Sequence, residues 1–467
     1  MPLILPGNVG SATAATGFNV ANSCRFDDGS TAYMHKTPGG AGNRRTLTFS
    51  TWFKRSSSLG ANQVLFSTSE GASTINGDCI RVNDANKLDI FYYDGSAMDY
   101  RYTSNQVLRD VSAWYHVCVA IDTTQGTASN RIKVYLNGNE VTSFATETDP
   151  SQNFDTQFNN TQVHSVSRRG TSGSEYFDGY MAETVLIDGS QLDPTSFGEF
   201  DEDSGIWKPI SVSGLTFGTN GFYLDFKDSA NLGNDASGGT DLTENNLTAI
   251  DQTTDTPTNN FATMNPLAIT NSGNTFSEGN LKITTISGAS SYNQATIGVS
   301  TGKWYWEVKY VSDSDGSGNY ARIGIADIDP PGTGGLGEVE GIAYEAINGR
   351  KKIRGTQTTY GDTYAPGDII SVALNLDDNE LTFYKNGTAQ NSGTAIDISS
   401  YTPKTGFWHP AFNYDDGSNS GVFEANFGNP TFTGTDKTDG NSRGSFEYAP
   451  PSGFLSLCTA NLSEVLG

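Results

Sequence analysis

WYHVCVAID (114–122) with RIKVYLNGNEV (131–141), and GDIISVALN (367–375) with ELTFYKNGTAQ (380–390), follow one grammar twice. In the first, Val117, Val119 and Ile121 alternate with His116, Cys118 and Ala120, and Ile132, Val134 and Leu136 alternate with Lys133, Tyr135 and Asn137. In the second, Ile370, Val372 and Leu374 alternate with Ser371, Ala373 and Asn375, and Leu381 and Phe383 follow. A period of two places one face of a strand against a core. Each pair ends in Asn-Gly, at 137–138 and 386–387, residues that tolerate the positive φ of a type I′ hairpin. One design repeated in both halves predicts two β-sandwiches in tandem.

The surrounding sequence extends that reading. Leu47, Phe49, Thr51 and Phe53 alternate with Thr48, Ser50 and Trp52, and Trp304, Trp306 and Val308 alternate with Tyr305, Glu307 and Lys309. Aromatic residues are 11% of the 467, enough to build cores, while Lys, Arg and Glu are sparse and Gly reaches 53. This composition fits an all-β chain with many turns. Residues 228–270 are dominated by Gly, Asn, Thr and Asp and read as a polar linker. The expected organisation is an N-terminal arm (1–19), a sandwich (20–227), the linker (228–270), a second sandwich (271–432) and a C-terminal tail (433–467). Phe261–Leu267 and Phe454–Leu457 are apolar and are expected to dock. Asp193 and Pro194 predict one short helical turn before Phe200.

Charge and cysteine usage exclude several classes. A net charge of −24 repels phosphate backbones and anionic lipid surfaces, so neither nucleic acid nor membrane is an expected partner. Cys24, Cys79, Cys118 and Cys458 are widely spaced and form no CxxC pair, which predicts free thiols made in a reducing cytoplasm. No stretch approaches the length of a membrane span. Met1–Gly17 holds one short apolar run and no Lys or Arg, and reads as something other than a signal peptide.

Catalytic patterns are sparse. His35, His116, His164 and His409 are the only histidines and form no HExxH or HxH pair. His116 reads as a packed strand histidine and His409 as loop architecture. No GxSxG elbow marks a serine nucleophile. The carboxylates considered for glycoside hydrolysis are Glu307, Asp327 and Asp329, and the last two read as turn acids before Pro330. Asp313-Ser-Asp315-Gly316 is half of a calcium loop without the closing glutamate. No enzyme activity and no cofactor are expected. Aromatic rings beside Asn and Asp suit carbohydrate hydroxyls and C–H faces. Tyr92-Tyr93-Asp94 and Tyr100-Arg101-Tyr102 supply such sets, and the site selected from loops of the second half is Tyr360, Asp362, Tyr364, Trp408, Asn413 and Tyr414.

LTFSTWFKR (47–55), VLFSTS (64–69), DVSAWYHVCVAID (110–122), IKVYLNGNEV (132–141) and FDGYMAETVLIDGSQLDPTSF (177–197) together resemble the laminin-G-like, concanavalin-A-type jelly roll. GKWYWEVKY (302–310), ARIGIAD (321–327), YAPGDIISVALNLDDNELTFYKNG (364–387), FWHPAFNY (407–414) and VFEANFG (422–428) resemble a SPRY domain. The first resemblance admits a rim calcium, for which Asp225, Asp228 and Asp235 would be ligands. The second implies a binding module that uses loops at one end of its sandwich. With GFNVANSCRFDDGSTAYMHKTP (17–38) and PPSGFLSLCTANLSEV (450–465), the pairing resembles virion-associated proteins of tailed bacteriophages, labelled tail fibre or capsid-associated. That resemblance implies a tail-fibre adhesin that binds a host-surface glycan or receptor, made in the host cytoplasm and carried on the virion. Its partners would be other virion proteins and further copies of itself, with a trimer as the usual fibre arrangement. A capsid-decoration protein and a polysaccharide depolymerase are the alternatives.

Overall fold

At both Asn-Gly pairs the chain turns as the residues predict. Asn137 and Gly138 have φ of 48° and 77°, and Asn386 and Gly387 have 47° and 77°. A second constraint acts on each glycine. A Cβ on Gly138 would lie 2.4 Å from the Trp207 ring, and one on Gly387 would lie 2.6 Å from Tyr448. The computed structural model describes residues 17–69, 76–170, 173–268, 273–287, 292–316, 318, 320–327 and 334–466. Its described residues divide into two units, 17–258 and 259–466.

In the first unit, one sheet runs in order Ile132–Leu136, Trp114–Asp122, Thr46–Arg55, Gly179–Asp188, Ser23–Phe26. The other runs Met98–Ser104, Leu88–Tyr93, Gly77–Val82, Gln63–Ser69, Val163–Val166, Tyr33–Lys36. All these pairs are antiparallel. The inner faces meet where Phe49 stacks on Phe66 at 4.7 Å. Thr46–Arg55 is buried on its outer face too, because Trp52 and Ala182 pack with Trp207 there. Asp193 caps the predicted helical turn, accepting from Thr195 N at 2.9 Å, although the turn is only Pro194–Ser196.

The second unit repeats the scheme. Lys303–Asp313 lies between Gly421–Asn426 and Ile369–Asn375 in one sheet. Ala321–Ala326 lies between His409–Tyr414 and Ile342–Glu345 in the other. Phe412 and Phe423 close the core at 5.1 Å.

Residues 228–270 are not a linker. Thr243–Asn245 pairs with Tyr33–Lys36, and Gln252–Thr253 pairs with Ser23–Phe26, so this stretch adds an edge strand to each sheet of the first unit. Leu232 and Leu242 are buried in its core, and Lys54 and Asp255 form a buried ion pair at 2.8 Å. Edge strands are held by backbone hydrogen bonds, so a few apolar anchors suffice. The tail is equally integral to the second unit. Leu455–Ser456 pairs in parallel with Lys303–Asp313, Phe261 bridges Cys458, and Leu457 and Leu462 are buried. The two apolar segments expected to dock thus dock on each other. The expected arm (1–19) falls outside the described residues except for 17–19. All four cysteines are buried free thiols. Burial pushes the Cys79 thiol up to about 12 and Cys458 to about 11, which makes them poor nucleophiles. Among the described residues, no helix is long and apolar enough to cross a membrane.

Candidate functional site

Among the described residues, Ser50, His116, Glu307 and Asp327 are held by structural contacts. Ser50 Oγ lies 2.8 Å from His116 Nε2, a serine–histidine pair. Trp207 Nε1, which can only donate, meets His116 Nδ1 at 3.1 Å. Nδ1 is therefore the acceptor and Nε2 carries the proton, which it gives to Ser50. An imidazole in this tautomer cannot take the serine proton, and burial holds its pKa down at about 3. Glu307 is buried and accepts from Tyr305 Oη (3.0 Å), Asn426 Nδ2 (3.0 Å), Glu447 N (3.0 Å) and Tyr448 N (2.8 Å). It clasps the tail, and burial pushes its pKa up. Asp327, which its sequence position predicts to be a solvated turn acid, is instead buried and bound by Arg354 and by Gly341 N at 2.9 Å. Asp329 lies outside the described residues. His409 is buried against Gly298.

The glycan-contact residues expected in the second unit do not form a surface. Tyr360 and Tyr364 are 4% and 3% exposed, because their rings fill the core around Tyr344 and Phe383. Tyr364 Oη donates to Ala321 O (3.0 Å) and Tyr344 O (2.9 Å). Trp408, Asn413 and Tyr414 are buried too, and Asn413 Oδ1 accepts from Leu336 N at 3.3 Å. Asp362 alone reaches solvent. In the first unit, Tyr100 and Tyr102 are likewise buried and bonded to Asp78 and Asp149. The acids considered for rim calcium are separately engaged: Asp225 with Lys227, Asp228 with Ala230 N, and Asp235 with Tyr223 N. Asp313 binds Tyr310 Oη, and Asp315 binds Tyr414 Oη.

A groove of about 740 Å³ opens in the first unit. Its walls are TPGG (37–40), the turn from Leu215 to Gly221, and SGGTD (237–241). Strand pairing brings these turns together. The first follows Tyr33–Lys36, the second precedes Phe222–Leu224, and the third precedes Thr243–Asn245. Buried polar contacts then fix them. Asp188 accepts from Asn43 N (2.7 Å) and Asn220 N (3.1 Å), while Asn220 Nδ2 donates to Gly40 O (3.0 Å). Asp235 Oδ1 accepts from Tyr223 N (3.0 Å) and Ser237 N (3.0 Å). Lys36 Nζ donates to Thr240 O at 3.1 Å.

The lining is polar with one aromatic wall. Phe217 is half-buried and lies parallel to Tyr223, with centroids 6.1 Å apart. Asp241 is exposed, yet held by Asp235 N (3.0 Å) and Asn231 Nδ2 (2.9 Å), contacts that keep its carboxyl below the ordinary range. Thr37, Thr219, Thr240 and Thr243 are exposed beside exposed glycines. A prearranged set of hydroxyls, amides and one ring can hold a neutral polyol. The sequence signal for this site is the density of Thr and Gly in three turns. Each alone reads as a turn or linker, and only the edge pairing of 243–245 assembles them.

Residues 28–191 match the family profile described as the concanavalin A-like lectin/glucanases superfamily, and residues 303–422 match the SPRY domain profile. Among solved structures, the chain is similar to the SPRY domain of human HERC1 at 18% identity, covering 35% of this chain and 96% of that one, with a TM-score of 0.30. It is also similar to a Bacteroides ovatus protein described as a candidate carbohydrate binder, at 17% identity, 49% of this chain and 59% of that one, TM-score 0.35. A heptameric pentraxin from Limulus polyphemus gives 14% identity, 44% and 96% coverage, and a TM-score of 0.29. The fold is all-β, with concanavalin-A-like and SPRY jelly-roll domains in tandem.

Proposed function

We propose that this chain is a non-enzymatic binding protein whose first unit holds carbohydrate in the groove around Phe217. The observation that carries the reading is the groove's construction. Three Thr- and Gly-rich turns are locked by buried Asp188, Asn220 and Asp235, and present hydroxyls, amides and one ring to solvent. Prearranged donors lose little entropy on binding, which suits ligands recognised through many weak contacts. The setting we infer is a virion surface, where multivalent display amplifies weak sites, with host attachment ahead of capsid decoration and depolymerisation. The resemblance of 17–38 and 450–465 to tailed-phage virion proteins supports that setting.

A glycan array probed with the full chain tests the site. Phe217→Ala, and Thr219→Trp to fill the groove, should each weaken the best glycan by about tenfold or more, corresponding to about 1.4 kcal/mol. Neither should change the melting temperature greatly. Binding that survives both substitutions would remove the groove from the reading. Antibody labelling of particles tests the setting, with label at the tail expected. Release of reducing sugar from a bound polysaccharide would overturn the non-enzymatic assignment.

A further inference from the structure

Strand register carries one row of residues across the outer face of the sheet that contains Tyr33–Lys36. Ser67 lies opposite Ser165, Ser165 opposite His35, and His35 opposite Thr243. Their chain neighbours Phe66, Val166 and Met34 point the other way, into the core. Thr243 lines the groove, so this row leads from the groove onto the outer face. Arg168 lies on that face. Its guanidinium sits over the Tyr33 ring, 3.7 Å from the centroid, and Nη2 makes one long contact with Ser165 Oγ at 3.4 Å. The Tyr176 ring stands 6.1 Å from that of Tyr33 at an angle of 48°. Tyr33, His35 and Tyr176 are half-buried, so the cluster reaches solvent.

Arg168 differs from the other arginines near it. Arg81 and Arg101 share Asp89, and Arg81 and Arg169 share Glu175. Arg168 is only 8% exposed, yet has no ion pair among the described residues. Its Nε is buried with no hydrogen-bond partner. A guanidinium taken out of water and given one long contact and a ring face is costly unless an anion shares it. Over a ring it uses its flat side, and its in-plane N–H groups suit a carboxylate, which accepts two parallel hydrogen bonds. Burial, and then the charge of Arg168, hold the His35 pKa down, so the imidazole adds no second positive charge at neutral pH.

The chain's charge of −24 narrows the choice of anion. Its field repels free anions and polyanions such as nucleic acid, so an anion is held here only when further contacts bring it. A sugar acid supplies them, with ring hydroxyls and C–H faces for the two tyrosines. Asn245, opposite Tyr33, is two residues from Thr243, about 7 Å along the strand, a distance that neighbouring sugar units cover.

We propose that Arg168, framed by Tyr33 and Tyr176, is a carboxylate subsite that makes the first unit select acidic over neutral glycans. The inference rests on the groove reading for the rest of the glycan, while these three residues lie outside the groove lining.

The full chain, probed on an array of uronate- and sialate-bearing oligosaccharides beside their carboxyl-reduced counterparts, tests it. The best acidic glycan should bind about tenfold or more tighter than its reduced counterpart, and added salt should narrow the gap. Arg168→Gln should bring the acidic glycan down to the level of the reduced one and leave the reduced one unchanged. If that variant fails to fold, Arg168→Lys carries the test. It keeps the charge without the fork, and should lose most of the preference. Absence of any acidic preference would overturn the proposal, as would a preference that the Arg168 variant leaves intact or a larger gain from sulfate esters than from carboxylates. Neutral glycans lost with Phe217→Ala, without acidic preference, would remove the subsite and keep the groove. Acidic preference lost with Arg168→Gln, with binding untouched by Phe217→Ala, would keep the subsite and remove the groove.

Discussion

His116 shows how a single proton decides what a pair of residues can do. Its contacts with Ser50 and Trp207 fix the Nε2–H tautomer, so the pair works as structure. Ser50→Ala removes the acceptor from a buried N–H and should cost about 1–3 kcal/mol in unfolding free energy. An active-site phosphonate should not label Ser50 in the unmodified chain, and labelling would refute the tautomer. Glu183 makes the complementary case. It sits at φ 49° in a bulge of Gly179–Asp188, buried, and accepts from Tyr223 Oη at 2.7 Å. Burial raises its carboxyl from 4.5 to about 7. Between those values the folded chain keeps a proton that the unfolded chain releases. Its contribution is complete below pH 4.5 and is lost as pH climbs to 7. His116 acts in the opposite sense, because the unfolded imidazole protonates below 6.5 and the folded one resists to about 3. Stability of the first unit should therefore peak at mildly acidic pH. Glu183→Gln should flatten the fall towards pH 8 and stabilise there by about 3 kcal/mol, read from urea midpoints at the two pH values.

At the scale of elements, the hairpins were legible because Asn-Gly between alternating strands has a local cause, positive φ at both residues. The aromatic that crowds each glycine comes from distant sequence, Trp207 for Gly138 and Tyr448 for Gly387. Gly138→Ala should thus cost more than backbone strain alone, about 2–4 kcal/mol, because the indole must move. A melt of that variant beside Trp207→Ala/Gly138→Ala checks this, since removing the ring should make the second substitution cheaper. The aromatic residues expected to meet carbohydrate in the second half are buried for a related reason. Tyr360, Tyr364 and Tyr414 stand among Asp, Gly and Asn, which reads as exposed loop, yet their rings are core, and the Tyr360 and Tyr364 hydroxyls bind Phe383 N and Ala321 O within it while that of Tyr414 reaches out to Asp315. Local composition reports that a turn is polar. It does not report which side of the chain faces the sheet.

Over the whole molecule, the domain boundary is where sequence and structure diverge most, and it gives the sharpest test. Hydrophobic patterning ends the first sandwich at residue 227, whereas the folded unit ends at Thr258. The 31 residues between supply an edge strand to each sheet, the buried Leu232 and Leu242, one wall of the groove, and Asp255. Asp255 Oδ2 pairs with Lys54, and Oδ1 accepts from Trp114 Nε1 at 3.1 Å. Taking that carboxylate from a buried ammonium costs about 3–5 kcal/mol. Each lost leucine adds about 2–5 kcal/mol more, judged from truncation to alanine. The sum is comparable to the about 5–15 kcal/mol by which domains are stable. A fragment of residues 14–258 should therefore melt cooperatively, whereas 14–227 should be unfolded or aggregated. In the full chain, Asp255→Asn should lower the melting temperature of the first transition and leave the second unchanged, because Asp255 belongs to the first unit alone. Circular dichroism and calorimetry of the two fragments and the variant decide it. A cooperative melt of 14–227 near that of 14–258 would return these residues to the role of a linker.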